Sequence, residues 1–396
     1  MTAPGALERG IGSGTARPVD TAGDAVQPGT RWRLLTDDAA THSAGLATDD
    51  CLAGRVGQGL CPPTLRLYTY RFCALVGRFQ NTASELHLDH CAAQGIPVNR
   101  RPTGGGAIVM GPEQLGIALM LPAAAAGAFS EARALMARFA DGLVQGLAGL
   151  GIAARFRGKN DLEVDGRKLA GLGVFKHPAG GLLFHASLLV DLDVGTMLRV
   201  LNTPFEKITD KEIATVAART STVRKETGTD LTVTAVREAV AQGYAAAFGI
   251  ALAPGALSAG EQQAIAALEQ EKYLRADWVH QTPQVADHVG AVRVKTPAGL
   301  LDVRVTLAGP MIKAAFIAGD FIASDSAVAA MEAGLRWHAA EPGAVTGTLE
   351  RLYGQWQDGL GGIPLDALSG AVNDAVQQAV AGEAGPYGCF VNPQGR

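Results

Sequence analysis

Three features of this 396-residue sequence predict an α+β fold, with one large domain followed by a smaller one. Strand-like runs and amphipathic helices are interleaved without the regular strand–helix alternation of a parallel sheet. Residues 251–260 are small and turn-rich and read as a linker. Beyond them lie three strand candidates separated by Pro297, Gly299 and Gly309, a pattern that suits a meander. The expected organisation is a disordered lead-in over residues 1–30, a first domain over 31–255 and an accessory α+β domain over 262–396.

Order is expected to begin near Trp32. Residues 64–77, TLRLYTYRFCALVG, concentrate apolar and β-branched side chains around a break at Arg71 and read as two successive strands. Leu115 to Phe129, interrupted by Pro122, is too short for a membrane span and reads as a buried strand running into a loop. Ser130 is a candidate cap for a helix in which Leu135, Phe139, Leu143, Leu147 and Leu150 recur at helical spacing, with Gly151 as its stop. Strand-like pieces return at 161–164, 168–175 and 182–190. A second amphipathic helix carries Val236, Val240, Tyr244 and Phe248 on one stripe and ends at Gly249. After the linker come a short helix through Leu268, strands at 291–296, 300–307 and 312–318, and further helices from Ser326 onward.

Composition removes several classes of function. Lys and Arg number 34 against 38 Asp and Glu, a formal charge of -4, and no basic run tracks a phosphate backbone, so nucleic acid is not an expected partner. The five cysteines, Cys51, Cys61, Cys73, Cys91 and Cys389, include no CxxC pair. Neither a zinc cage nor a disulfide framework is indicated, and a reducing cytoplasm is expected. The first thirty residues lack the continuous apolar stretch of a secretory signal.

Three segments carry chemistry. Arg100-Arg101-Pro102-Thr103-Gly104-Gly105-Gly106-Ala107 precedes the apolar run Ile108-Val109-Met110. Three glycines clear the side chains from one stretch of backbone, so its N–H groups can approach a phosphate or a flat ligand, while a neighbouring arginine supplies charge. Strand alternation lets only one of Arg100 and Arg101 face that ligand. On its own the glycine run is also a flexible turn. No Gly-Lys-Ser/Thr follows, so it is not a P-loop, and Gly171-Leu172-Gly173 does not continue into a dinucleotide fingerprint.

Gly158-Lys159-Asn160-Asp161-Leu162 and Gly166-Arg167-Lys168-Leu169-Ala170-Gly171 form the second segment. A lysine placed between glycine turns can reach a carboxylate and a phosphoryl oxygen together; a solvated edge-strand lysine is the plainer alternative. Asn160 and Asp161 suit a nucleotide or its metal ion, or simply a turn before a strand. The third segment, Leu182-Leu183-Phe184-His185-Ala186-Ser187-Leu188-Leu189-Val190-Asp191, sets one histidine in an apolar strand, where a satisfied core histidine is the alternative.

In this order, and with Gly77-Arg78-Phe79-Gln80-Asn81 upstream, RRPTGGGAIV, GKNDLEVDGRKLAG and LLFHASLLVDLD resemble the signature segments of lipoate-protein ligases and their octanoyltransferase relatives. The likeness covers roughly residues 32–249 and weakens through Tyr273, Trp278 and Gly319-Asp320-Phe321. It implies the fold shared with biotin ligases: a mixed, largely antiparallel sheet with flanking helices and an acyl tunnel opening on the glycine loop. It also implies an ATP-dependent ligase that activates lipoate or octanoate as the acyl adenylate and passes it to a lysine of a lipoyl-domain carrier protein. Lys168 is then the catalytic residue, contacting ATP and the lipoate carboxylate. The implied ATP-binding residues are Arg101, Gly105, Gly106, Ala107, Ile108, Val109, Asn160, Asp161 and Lys168. Asp161 would support Mg2+, and Gly104, Gly171, Lys168 and His185 would contact lipoate.

This chain departs from the family pattern at Met110-Gly111-Pro112-Glu113-Gln114, at Phe184-His185-Ala186-Ser187 and at Leu172-Gly173. Two other readings therefore stay open: an ATP-independent octanoyltransferase, and a non-catalytic acyl-binding or docking homologue. Transferases that work through a cysteine thioester carry that cysteine near or after the lysine motif, whereas none lies here between Cys91 and Cys389. Biotin ligation is a further possibility, though its Gly-Arg-Gly-Arg signature is absent.

Overall fold

A computed structural model of the chain describes residues 29–125, 132–157, 160–202, 209–280, 289–308 and 310–382. The lead-in over 1–28, Phe129 and Ser130, Gly158 and Lys159, and Cys389 lie outside them. In chain order the first domain contains β1 (Arg31–Ala40), α1 (His42–Gly57), β2 (Thr64–Tyr70), β3 (Cys73–Val76), β4 (Val98–Arg100), β5 (Ile108–Met110), β6 (Gln114–Pro122) and α2 (Ala132–Gly149). It continues through β7 (Arg155–Arg157), β8 (Asp161–Val164), β9 (Arg167–Lys176), β10 (Gly181–Leu189), α3 (Val233–Phe248), β11 (Ala251–Pro254) and α4 (Ala259–Leu268). Among the described residues, eight strands form one sheet in the order β11-β1-β2-β6-β10-β9-β8-β7. Strand β1 runs parallel to both β11 and β2, and the remaining pairs are antiparallel. This is the mixed, largely antiparallel α+β sheet that the sequence led us to expect.

The break at Arg71 separates more than two strands. β2 belongs to the large sheet, whereas β3 pairs with β4 and β5 in a small second sheet that carries the glycine loop. The helical stripe of α2 buries Leu135, Phe139, Leu143 and Leu147 on one face of the large sheet, with the Phe139 ring 5.8 Å from Phe184 of β10. Helix α3 packs beside α2 at a separation only glycine allows: a β-carbon on Gly243 would lie 2.2 Å from the Gly146 nitrogen. Thr232 caps its start, and Gly249 ends it in the left-handed region. Helix α1 covers the opposite face, close enough that a β-carbon on Gly181 would meet the Ala53 carbonyl at 1.8 Å.

The expected linker is partly ordered structure. Once Gly249 reverses the chain, Ala251–Pro254 pairs with Arg31–Leu34 as an edge strand, where the missing N–H of Pro254 costs no ladder bond. Residues 259–280 then pack back onto the first domain. Glu261 pairs with Arg33 at 2.8 Å, Lys272 and Tyr273 both reach Asp50 at 2.8 Å, and the Trp278 indole donates to the Arg100 carbonyl at 2.9 Å.

The second domain comprises β12 (Val289–Thr296), β13 (Gly299–Ala308), β14 (Met311–Gly319), α5 (Asp325–Leu335), β15 (His338–Ala339), α6 (Pro342–Trp356) and α7 (Leu365–Gly382). Its strands form the expected antiparallel meander, extended by β15, and its helices bury Met331, Leu349 and Val372 against Val303 and Val305. It docks through Phe321, whose ring stacks on Phe79 with centroids 4.9 Å apart, and through the Arg78–Asp325 pair at 2.8 Å. No helix among the described residues is long and apolar enough to cross a membrane.

Candidate active site

The glycine loop is held from beneath by the arginine pair, and the two arginines divide as strand alternation requires. Arg100 turns away from the cavity. Its guanidinium donates to the carbonyls of Gly77, Arg78 and Gln80 and to Val279 O and Thr82 Oγ1, tying the 77–82 turn to the segment after α4. Arg101 turns inward, donating to Gly104 O at 3.0 Å, Gly106 O at 2.6 Å and Thr103 Oγ1 at 3.1 Å. Burial, with no carboxylate to offset it, draws the Arg101 guanidinium down to about 10. Its positive charge is therefore met by neutral oxygens, carbonyls and the Thr103 hydroxyl, and it favours an anion or a polarised carbonyl nearby.

The three glycines serve three different contacts. A β-carbon on Gly104 would fall 2.1 Å from the Phe321 carbonyl oxygen, so here the accessory domain lies directly on the loop. Gly105 takes φ +96° beside Arg101 and Asn160, and Gly106 faces open space. Ala107 follows half-buried. Ile108 lines the cavity described below, whereas Val109, expected to face the ligand, alternates away into a core with Ala74, Val76 and Leu86. Period-two geometry makes that outcome necessary once Ile108 points inward.

Strands β9 and β10 supply the facing wall. Gly171 pairs with Ser187, and Gly173 with His185, so the two polar side chains of β10 each lie opposite a bare backbone. A β-carbon on Gly173 would come within 2.4 Å of His185 Nε2. One on Gly171 would sit 3.5 Å from both Lys168 Nζ and Ser187 Oγ. Asn160 donates its side-chain amide to Leu172 O at 3.1 Å, and Lys168 Nζ pairs with Asp161 Oδ1 at 2.7 Å. Asp161 is engaged by the lysine. Among the described residues no group of three His, Cys, Asp or Glu side chains is placed to hold a metal ion.

His185 Nε2 lies 2.7 Å from Thr103 Oγ1. The same oxygen accepts from Arg101 Nε, so Thr103 links the guanidinium to the imidazole. Burial and then the Arg101 charge push the imidazole down to about 3, so His185 is neutral.

Behind these groups is a small, largely apolar cavity of about 30 Å3, bounded by Leu46 of α1, Tyr68 and Tyr70 of β2, Ile108, Met110 and Leu183. Asp49, from α1, bonds Tyr68 Oη at 2.9 Å and Arg66 at 2.7 Å, closing the polar part of its wall. In front of the loop, a cleft of about 560 Å3 runs from Gly106 between the two domains to Asp320 and Glu332. Arg101, Gly104, Gly105, Gly106, Asn160, Asp161, Lys168, Gly171 and His185 are thus gathered around one site. Sequence reasoning did not single out Thr103, Ser187, Tyr70 or the covering residue Phe321. Ser187 was reachable, since it lies two residues from His185 on the same strand face.

Residues 42–245 match the lipoyl protein ligase A/B catalytic domain. The octanoyltransferase LipM of Symbiobacterium thermophilum is 30% identical over 272 residues, spanning 63% of this chain and 98% of the relative. That of Kyrpidia tusciae is 30% identical over 270 residues, spanning 62% and 97%. A chain from the structure of the Thermoplasma acidophilum lipoylation system, a bi-partite lipoate protein ligase with its E2 lipoyl domain, superimposes with TM-score 0.57 at 25% identity, covering 64% of this chain and 97% of that one. The structure of P. falciparum LipL1 in complex with lipoate, 16% identical, shares the fold at TM-score 0.63 over 81% of this chain and 94% of its own.

These relatives overturn one expectation. The relatives at 30% identity, matched along nearly their whole length, are octanoyltransferases, and a transferase starts from an acyl group that is already activated, so the ATP-dependent, adenylate-forming ligase is not retained. With its match over residues 42–245 and near-complete coverage of the transferases, the chain belongs to the lipoyl protein ligase A/B catalytic-domain family.

Proposed function

We propose that this protein is an ATP-independent acyltransferase that moves an octanoyl-type chain from an activated thioester donor to a lysine of a lipoyl-domain acceptor. The observation that carries the reading is a small apolar cavity lined at its polar end by Arg101, His185 and Ser187, with Lys168 on the other side of the bare Gly171 backbone from Ser187. The side chains around the cavity, about 30 Å3 as it stands, part to take the alkyl chain, whose burial is worth about 0.8 kcal/mol per methylene. The carbonyl then lies at the charged rim, where Lys168 and Arg101 stabilise the oxyanion that forms when an amine adds. Asp161 holds the Lys168 ammonium in place, and the interdomain cleft beside Gly106 gives the acceptor lysine its approach. Names of the relatives support the octanoyl group and the transfer.

The test is acylation of a purified lipoyl domain by the full chain with octanoyl-CoA, ATP omitted or supplied. Acceptor modification that ignores ATP and disappears in Lys168→Ala is expected. Modification that requires ATP and free octanoate, with none from the thioester, would overturn the proposal.

A further inference from the structure

The described cysteines offer no thiol at this site: Cys73 is fully buried on β3, where loss of solvation pushes its thiol up to about 12, and Cys51, Cys61 and Cys91 do not line the cavity. Five oxygen or nitrogen nucleophiles do line it: Tyr68, Tyr70, Thr103, His185 and Ser187. Burial raises both tyrosine hydroxyls well above their ordinary range, and Tyr68 is committed to Asp49. Thr103 accepts from Arg101 and is bonded to His185, so both members of that pair are occupied. Ser187 differs from the others. It is half-exposed at the cavity, its hydroxyl makes no hydrogen bond among the described residues, and only the bare Gly171 separates it from the Lys168 amine.

We infer that Ser187 is the acyl-accepting nucleophile, so that transfer passes through an octanoyl ester on its Oγ, with Lys168 as the proton shuttle. This rests on the transferase reading above. In the first step Oγ bonds the thioester carbonyl carbon and the C–S bond breaks; Lys168 gives a proton to the departing sulfur and takes the hydroxyl proton in its place, so its charge is unchanged. In the second step the acceptor amine bonds the same carbon and the C–O bond breaks; the amine proton passes through Lys168 to Oγ, restoring the serine. Asp161, 2.7 Å from Nζ, keeps the amine aimed at the gap over Gly171 in both steps. Serine–lysine pairs perform acyl transfer on unrelated folds, so the chemistry needs no thiol.

The experiment incubates the full chain with octanoyl-CoA, first without acceptor and then with a lipoyl domain, reading intact mass, peptide mass and rate. Expected are one octanoyl adduct mapping to Ser187 and chased onto the acceptor, a loss of transfer of about a thousandfold or more in Ser187→Ala, and a retained adduct in Ser187→Cys. Wild-type transfer with no adduct, together with a Ser187→Ala variant of unchanged rate, would overturn the serine alone and leave direct amine attack. Neither adduct nor transfer from the wild-type chain would overturn both the serine and the transferase reading.

Discussion

Replacing Gly104 by alanine tests how far the accessory domain governs the site. Gly104 needs no left-handed backbone, so the effect is one of space. The added carbon would stand 2.1 Å from Phe321 O and 3.0 Å from Ile322 Cα, both backbone atoms that no rotamer change can clear. Reaching ordinary van der Waals separation needs a shift of at least about 1 Å between loop and domain. Such a shift loosens the Phe79–Phe321 stack, worth about 0.5–1.5 kcal/mol. It also loosens the Arg78–Asp325 pair, which is partly exposed and contributes at most about 1 kcal/mol. The total, roughly 1–2 kcal/mol, is a fraction of the stability of either domain. Gly104→Ala is therefore expected to stay folded with thermal transitions close to wild type, to be cut faster by protease between the domains, and to transfer acyl groups about tenfold more slowly. Wild-type protease resistance together with a wild-type rate would show that the contact at Phe321 does not order the loop.

Three other outcomes follow from the same geometry. His185 has its folded value drawn from 6.5 to about 3, so protonation favours the unfolded chain: its contribution to stability is present above 6.5 and is lost as pH falls toward 3. His185→Gln should flatten the fall in thermal midpoint between pH 6 and pH 4 (about the window of that shift); an unchanged slope would count against the neutral imidazole. Phe139→Ala empties the centre of the ring cluster with Phe184 and Phe248 and should cost about 3–5 kcal/mol in denaturant unfolding, a loss below about 1 kcal/mol being incompatible with that packing. Among the described residues the buried Tyr70 hydroxyl meets no hydrogen-bond partner within range, so Tyr70→Phe should leave the substrate-free protein equally stable or about 1 kcal/mol more stable by the same unfolding assay; a clear loss would mean the hydroxyl is satisfied.

Most of the sheet was legible because its strands are short, apolar and punctuated by glycine, and α2 and α3 because each carries an uninterrupted apolar stripe ending at glycine. Helix α1 was missed. Its sequence, HSAGLATDDCLAGRVG, buries polar Asp49 and Asp50 through distant partners Arg66, Lys272 and Tyr273, so no local periodicity announces it. The edge strand β11 was read as linker for a similar reason: ALAP has little strand character and is a strand only because β1 lies beside it. At the site, the motifs brought Arg101, the glycine loop, Asn160, Lys168 and His185 to notice, but not the roles of their neighbours. Ser187 became visible only when β9 and β10 were paired, since the relevant fact is a glycine across the ladder and not a residue along the chain. The reaction was misjudged for a different reason, because the residue types that suit a nucleotide phosphate also suit a polarised acyl carbonyl.

The pairing of β1 with β11 has a consequence for how the protein is made. Strand β1 finds one of its two neighbours only after residue 254 has been synthesised, and Arg33 meets Glu261 later still. Until then β1 is an open edge beside β2, a template for pairing with another chain. Joining ends this far apart in the chain also slows folding relative to local contacts. The nascent catalytic domain therefore spends most of its synthesis with an unprotected border, and a fragment stopping before Ala251 should aggregate through that border, however intact its cavity.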